Sequence, residues 1–530
     1  MLDAIIISDF GSDTYSASSP LRLQLEGRTA LIQNVVNYLE HSGKIIDPVA
    51  GDKKFNWHCA TKLNGITLYD ILTKNGFIVD IIDSYAKESR EFLSMMKQKP
   101  KAIIISTTFI TSKNELTKIV NDIRQIDSEV KIICGGPFVY SSYLLLQKRV
   151  IENYDTENPK DHYLFLNDTN PLAVDLFIVD RTGESVLVSA LERITKDAPL
   201  DDLANTARWD GESYIFSERK ESEPLNNIID WKTLPEKFIQ SGVVNMQAST
   251  GCPYQCKFCN FIKDKKSTML KSLDTVIGEM RALSERGIKY VRFVDDNFRL
   301  GSNDLNDVCH RLIEEDMKIK WMSFIRASTL DKTDVLLLKK AGSIEVQIGI
   351  ESIDKTVLKN MDKGASPEMY RRVIRTLLEN GINCSCCFIF GYPGETDQSI
   401  YKTIEFIESI SNKTQPGVFC WSIYPFILAP LSPIYEDEER KKYDLKGYMN
   451  AWTHSSMNSK QAYDKIFEAF MQINSSGPIY SEDNLEILLS LPVEKRKAFI
   501  MTRHHLSKMN YRVQQEKKII IDAFKAVLID

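Results

Sequence analysis

At 530 residues the chain is too long for one ordinary domain, and roughly three domains are expected. Its 43% hydrophobic and 26% charged residues are those of a globular protein, and 67 basic against 72 acidic residues leave a net charge of −5, which excludes a bulk basic field for nucleic acid. No apolar run approaches the ~18 residues of a membrane-spanning helix. Met1-Leu2-Asp3-Ala4 carries an acid where a signal peptide needs a cation, and the ten cysteines are clustered rather than set at disulfide-framework spacings, so a cytoplasmic location is expected.

The first predicted element is a strand at 3–8, a β-branched run that reads as buried. A long polar segment follows, then a helix over 64–74 closed by Asn75-Gly76. Further strands are predicted at 77–83, 102–106, 131–137 and 176–180, with helices at 115–126 and 184–195. Strands alternating with helices over 1–200 imply an α/β domain, a doubly wound Rossmann-like parallel sheet with ligands at the strand C-termini. Cys59 and Cys134 read as small buried hydrophobes.

Residues 201–242 form a polar, charged connector that includes the 226–235 stretch. The α/β alternation then restarts over 243–430, with strands predicted at 243–246, 290–296, 320–326, 345–352, 382–390 and 418–425. Helices at 273–285, 304–315, 331–341, 367–379 and 397–411 separate them. Six parallel units make a partial (β/α)6 barrel with its site at the strand C-terminal ends. The 431–530 region is expected to be mainly helical, with an amphipathic last helix at 517–529; Trp452 and His454 read as a packed Trp with a surface His, or as lining of the substrate opening.

Between the first two barrel strands lies Gly251-Cys252-Pro253-Tyr254-Gln255-Cys256-Lys257-Phe258-Cys259-Asn260. Three thiolates on one short loop suit an iron–sulfur cluster or zinc. Zinc wants a fourth Cys or His close by, and the nearest downstream, Cys309 beside His310, is about fifty residues away. An iron–sulfur cube held at three corners leaves one iron for another ligand.

The Cys-x-x-x-Cys-x-x-Cys spacing, with Phe258 just before the last Cys, resembles the radical S-adenosylmethionine (SAM) enzymes. The resemblance implies a 4Fe-4S cluster on Cys252, Cys256 and Cys259, whose remaining iron chelates the amino and carboxylate groups of SAM. It also implies reductive cleavage of SAM to a 5′-deoxyadenosyl radical that abstracts hydrogen from substrate, with flavodoxin or ferredoxin as external electron donor. Asp295-Asp296-Asn297-Phe298 stands where that family receives the SAM amino group. Gln347-Ile348-Gly349-Ile350-Glu351-Ser352 stands at its ribose motif, with Glu351 or Ser352 as the contact. Arg326 would pair with the SAM carboxylate or serve in a structural ion pair. The stretch from Phe388 through Ile389, Gly391 and Gly394 to Thr396 resembles the adenine-contacting strand end.

The N-terminal order of strand, helix, Gly135-Gly136-Pro137 and Val179-Asp180-Arg181-Thr182-Gly183-Glu184-Ser185 resembles the cobalamin-binding-type domain that precedes many radical SAM barrels. The Asp-x-His-x-x-Gly motif of that domain is absent: Asp9-Phe10-Gly11-Ser12-Asp13 follows the first strand, and no His precedes His41. Cobalamin binding and a degenerate scaffold both stand as readings.

Asn383-Cys384-Ser385-Cys386-Cys387-Phe388 alternates faces on a strand, so at least one thiol faces the barrel lumen. Cysteine as a buried filler is the plain reading. A lumen thiol is also a hydrogen-atom donor, as in the family's peptide epimerases, and Cys387, on the face of Ile389, is the first candidate, with Cys386 second. The expected function is hydrogen abstraction from a peptide or small-molecule natural-product substrate, favouring epimerisation with thiol return. Cobalamin-dependent methyl transfer to carbon or phosphorus is the alternative. The acidic balance and the lack of a second cysteine cluster argue against tRNA modification.

Overall fold

Consecutive β-branched residues need burial on both faces of a sheet, and the chain places them there: Ile5, Ile6 and Ile7 are fully buried, as are Ile103 and Ile105 beside them. The computed structural model describes residues 2–11, 21–45, 55–151, 153–167, 169, 171–221, 228–261, 269–298, 301–410, 415–513 and 515–529. Met1, Ser12-Asp13, Asn226-Asn227 and Ser411, which carry parts of the expectations above, lie outside those residues. The chain divides into two units.

The first unit comprises Met1–Tyr15, Thr61–Leu234 and Tyr435–Asp437. Strands β1 (Ala4–Ile7), β2 (Val79–Ile82), β3 (Ala102–Ser106), β4 (Lys131–Gly135) and β5 (Leu176–Ile178) are parallel in the order β2-β1-β3-β4-β5. The order reverses between β1 and β3, so their C-terminal ends flank a crevice of the kind that takes ligands in doubly wound sheets. Two further strands, β6 (Thr206–Trp209) and β7 (Tyr214–Phe216), continue the sheet antiparallel from a stretch expected as connector. Aromatic packing holds them, with Phe165 edge-on to Tyr214 at 5.0 Å and to Phe216 at 5.2 Å. Charged residues between those aromatics hide the strands in the sequence.

The second unit comprises Ser16–Ala60, Pro235–Ile434 and Glu438–Asp530. Its sheet runs β8 (Val243–Met246), β9 (Tyr290–Phe293), β10 (Lys320–Phe324), β11 (Ser343–Glu351), β12 (Asn383–Phe390), β13 (Phe419–Pro425) and β14 (Gly477–Pro478), in chain order and parallel throughout. Among the described residues β8 and β14 are unpaired edges, so the barrel is open. Sharp caps seat the returning helices: Ser366 accepts from the Met369 amide with Pro367 at the first turn, and Thr396 and Ser399 cap reciprocally. The register slips between Gly349 and Glu351, and Glu351 takes a φ of 67°, a bulge that re-aims its side chain.

The C-terminal region is less helical than its composition suggests. It supplies β14 and an antiparallel ribbon of Lys446–Tyr448, Ala451–His454 and Met457–Asn458 beside helices Ser459–Gln472, Val493–Arg512 and Lys517–Leu528. The described residues between 21 and 60, read as part of the N-terminal domain, pack in this second unit. Leu23, Leu25, Ile32, Val35 and Tyr38 share a core with Phe499, Leu506 and Phe524. Asp483 ties that junction, accepting from the Ile32 amide at 2.8 Å and from Arg503 at 2.8 and 2.9 Å. No helix among the described residues is long and apolar enough to cross a membrane.

Candidate active site

The loop that leaves β8 is fastened by two carboxylates at the end of β9. Asp295 accepts from the Ala248 amide at 3.1 Å and from the amide and hydroxyl of Ser249, while Asp296 accepts from the Gly251 amide at 3.0 Å. Burial pushes the Asp295 carboxyl up to about 6 against these hydrogen bonds. The pair expected at the SAM amino group thus holds the backbone immediately before Cys252.

The cysteine loop is pinned again further on. The Lys257 amide donates to the Met361 carbonyl at 2.8 Å, the Lys257 carbonyl accepts from the Ile434 amide at 2.9 Å, and Lys257 pairs with Glu439. Cys256 is buried, and Cys252 and Cys259 are partly exposed. Among the described residues no three His, Cys, Asp or Glu side chains are already closed to metal-ligand distance. The loop therefore offers its thiols by spacing rather than as a formed cage.

Arg326, just past β10, lies against this loop. Its guanidinium is 3.5 Å from the Cys256 sulfur and 3.6 Å above the Tyr254 ring, and it also donates to the Lys363 carbonyl. It is engaged with the cysteine loop. Lys363 in turn pairs with Glu351 at 2.7 Å, both side chains under a tenth exposed, and lies over the Phe258 ring. Gly349 permits this, because a Cβ there would stand 2.5 Å from the Glu351 carboxylate. Ser352 is fully buried and its hydroxyl accepts from the Asp354 amide, while Glu351 stands beside the loop.

On β12 the residues Asn383, Cys387 and Ile389 are partly exposed, whereas Cys384, Cys386, Phe388 and Phe390 are fully buried. Cys387 and Ile389 therefore share the lumen face. Cys386 faces the other way with its sulfur 3.5 Å from that of Cys384, and this corrects its expected place in the lumen. Burial, and next the Glu351 charge, push the Cys387 thiol up to about 12, so it stays protonated.

Beyond β12, Gly391 (φ 91°) donates to Glu395 at 2.6 Å, and its carbonyl is bound by His454 Nε2 at 3.0 Å. Trp452 stacks on His454, so the His expected on the surface is buried. A Cβ on Gly391 would meet Trp452 at 2.5 Å. Burial raises the Glu395 carboxyl to about 8. Lys363, Tyr254 and His454 carry no motif of their own; proximity to Cys256 in the sequence is the single signal available for Tyr254.

In the first unit, polar groups gather where β1 and β3 end. The Asn64 amide donates to the Ser8 carbonyl at 2.9 Å and to the Ser106 hydroxyl at 2.8 Å, and Lys62 bridges Asp9 and Asp83 at 3.4 and 3.1 Å. Ser8 Oγ, Asp9 Oδ1, Asn64 Oδ1 and Ser84 Oγ are buried without hydrogen-bond partners. Such orphaned atoms at a switch point suit a polar ligand.

A family model described as the radical SAM superfamily matches residues 246–407. The chain is 32% identical over 348 residues to an uncharacterized methyltransferase of Pyrococcus horikoshii, covering 63% of this chain and 70% of that one. It is 30% identical over 222 residues to the bacteriochlorophyllide d C-12(1)-methyltransferase of Chlorobaculum tepidum, covering 39% of this chain and 47% of that relative, about half its length. The fold is similar to TsrM of Kitasatospora setae, a radical SAM methyltransferase solved with tryptophan substrate and a SAM analogue, at TM-score 0.59 and 15% identity over 89% of this chain and 98% of that one. It is also similar to OxsB, solved with aqua-cobalamin and SAM, at TM-score 0.57 and 15% identity over 99% and 75%.

Proposed function

The chain belongs to the radical SAM superfamily, and from that premise we propose that it is a cobalamin-dependent methyltransferase. The observation that carries the reading is the pairing, in one chain, of a three-thiol loop at the first strand end of an open barrel with a β2-β1-β3-β4-β5 sheet whose switch point holds orphaned buried polar atoms. The identity to two methyltransferases supports it over epimerisation, and no peptide epimerase stands among these relatives.

Cys252, Cys256 and Cys259 would ligate a 4Fe-4S cluster, and Ser8, Asp9, Asn64 and Ser106 would line the cobalamin site. When bound, these groups supply the electron that cleaves SAM and the methyl group that is transferred. Asp295 and Asp296 fix the loop's backbone, so the thiols need little reorganisation on ligation. Arg326 donates to the Cys256 sulfur and would orient it towards the cluster. Gly391 and Ile389 would receive the adenine and Glu351 the ribose. The thiol of Cys387 stands as the residue for the second reading, hydrogen return. Flavodoxin or ferredoxin is the electron donor we infer, and the substrate is a small molecule or peptide.

Anaerobic purification from cobalamin-supplemented cells tests this. The expected result is a cobalamin spectrum after acid release, with both S-adenosylhomocysteine and 5′-deoxyadenosine formed from SAM under reductant. A reconstituted cluster that yields 5′-deoxyadenosine alone, on protein free of cobalamin, would overturn it in favour of thiol return.

A further inference from the structure

The lumen face of the barrel sheet carries polar side chains that the chain leaves without partners. Asn245 on β8 is in register with Arg292 on β9, Arg292 with Met322 on β10, and Met322 with Glu345 on β11. One layer on, Gln347 is in register with Ser385, and Glu345, Gln347 and Ser385 all line a cavity of about 70 Å³. Arg292 lies within electrostatic range of the Glu345 carboxyl, which is the nearest acid to it on this face. β9 borders neither β12 nor β13, so the register alone places Arg292 on the concave face that these strands share.

Among the described residues the Arg292 side chain makes no hydrogen bond and no ion pair within 4.0 Å. The Gln347 amide makes no hydrogen bond either, and Asn245 Oδ1 is buried without one. Glu345 is occupied by the Ser385 hydroxyl at 2.7 Å, and burial pushes its carboxyl up despite Arg292. Lys363, another lumen-side cation, is already neutralised by Glu351. A guanidinium stays charged in any protein setting, and burying one uncompensated is costly. Structural pairs do not look like this: Arg503, fully buried where Arg292 is partly exposed, is gripped by both oxygens of Asp483.

We propose that Arg292 anchors a carboxylate of the substrate inside the barrel, with Asn245 and Gln347 supplying amide hydrogen bonds on the same face. The planar fork of a guanidinium suits bidentate pairing with a carboxylate. The inference rests on the radical SAM barrel reading but is independent of cobalamin. The carboxylate of SAM is the competing occupant that the test must separate.

The test compares the reconstituted full chain with Arg292→Gln, Arg292→Lys and Arg292→Met, using formate and benzoate as probes and formamide and benzamide as their neutral counterparts. The carboxylates, but not the amides, should raise the melting temperature of the parent chain. The concentration required should rise about tenfold or more in Arg292→Gln and less in Arg292→Lys, the loss expected of a charge-assisted pair. Without probes, Arg292→Met should melt above the parent, because an unpaired interior charge has gone. Equal protection by the amides, protection that survives Arg292→Gln, or a lower melting point for Arg292→Met would each overturn the proposal. So would a tenfold weaker SAM affinity in Arg292→Gln by equilibrium dialysis, which would give the anchor to SAM. Iron and cobalamin content, which test the proposed function, are read separately on the same samples.

Discussion

The guanidinium of Arg326 stands 3.5 Å from the sulfur of Cys256. A donor at that distance orients a sulfur that is to ligate metal and supports it from behind. Arg326→Met should therefore lose iron to a chelator several-fold faster than the parent, with Arg326→Lys between them. Alanine at Cys252, Cys256 or Cys259 should abolish both the cluster absorbance and SAM cleavage.

Asp295 is an anchor for backbone. Asp295→Ala strips acceptors from two buried amides and a hydroxyl, and should cost about 2–4 kcal/mol by denaturant titration. Asp295→Asn should recover part of that, and reconstituted iron content should follow the same order.

Glu395 gives a pH signature. Its carboxyl is raised to about 8 from an ordinary 4.5, so the folded chain holds a proton that the unfolded chain releases. The stability this group contributes is present below pH 4.5 and is lost as pH rises towards 8, by up to roughly 1.4 kcal/mol per pH unit. Glu395→Gln keeps an acceptor for the Gly391 amide and should flatten that slope in chemical denaturation across the same window.

Gly391→Ala combines a φ of 91° with a Cβ only 2.5 Å from Trp452. A cost of about 1–3 kcal/mol is expected, with weaker SAM binding by equilibrium dialysis if this strand end receives adenine. Trp452→Leu should restore only part of the stability, because the same Cβ also stands 2.7 Å from that of Ala462 and the φ is unchanged.

Asp483 and Arg503 form a buried pair that joins the 21–45 segment to the C-terminal helices. Asp483→Ala should destabilise the barrel unit by about 3–5 kcal/mol, because it leaves the Arg503 charge uncompensated. The opposite sign is expected for Arg292→Met, so the two substitutions distinguish an arginine kept for the fold from one kept for a ligand.

Much of the barrel is legible along the chain because each strand and its helix are neighbours in sequence. Hydrophobic periodicity, Gly and Asn stops and Ser or Thr caps mark all six expected strands from 243 to 425 in their spatial order. The lumen position of Cys387 is equally readable, since alternation on β12 ties it to Ile389. Strands β6 and β7 are not readable, because their stabilisation comes from Phe165 and Phe177, distant in sequence. The packing of residues 21–45 against helices 450 residues away is likewise invisible to any local pattern.

By itself the sequence determined the chemistry to be attempted: three thiols at fixed spacing on one loop are a covalent fact that no folding can rearrange. Tertiary structure alone decided which side chains are consumed by the fold and which are left for ligands. Asp295, Asp296 and Ser352 carry the right atoms but lend them to backbone amides, whereas the Arg292 side chain, unremarked in the strand, has no hydrogen bond or ion pair among the described residues. The reason is physical: hydrogen-bond satisfaction depends on distance in space, and a one-dimensional pattern records only which groups could bond.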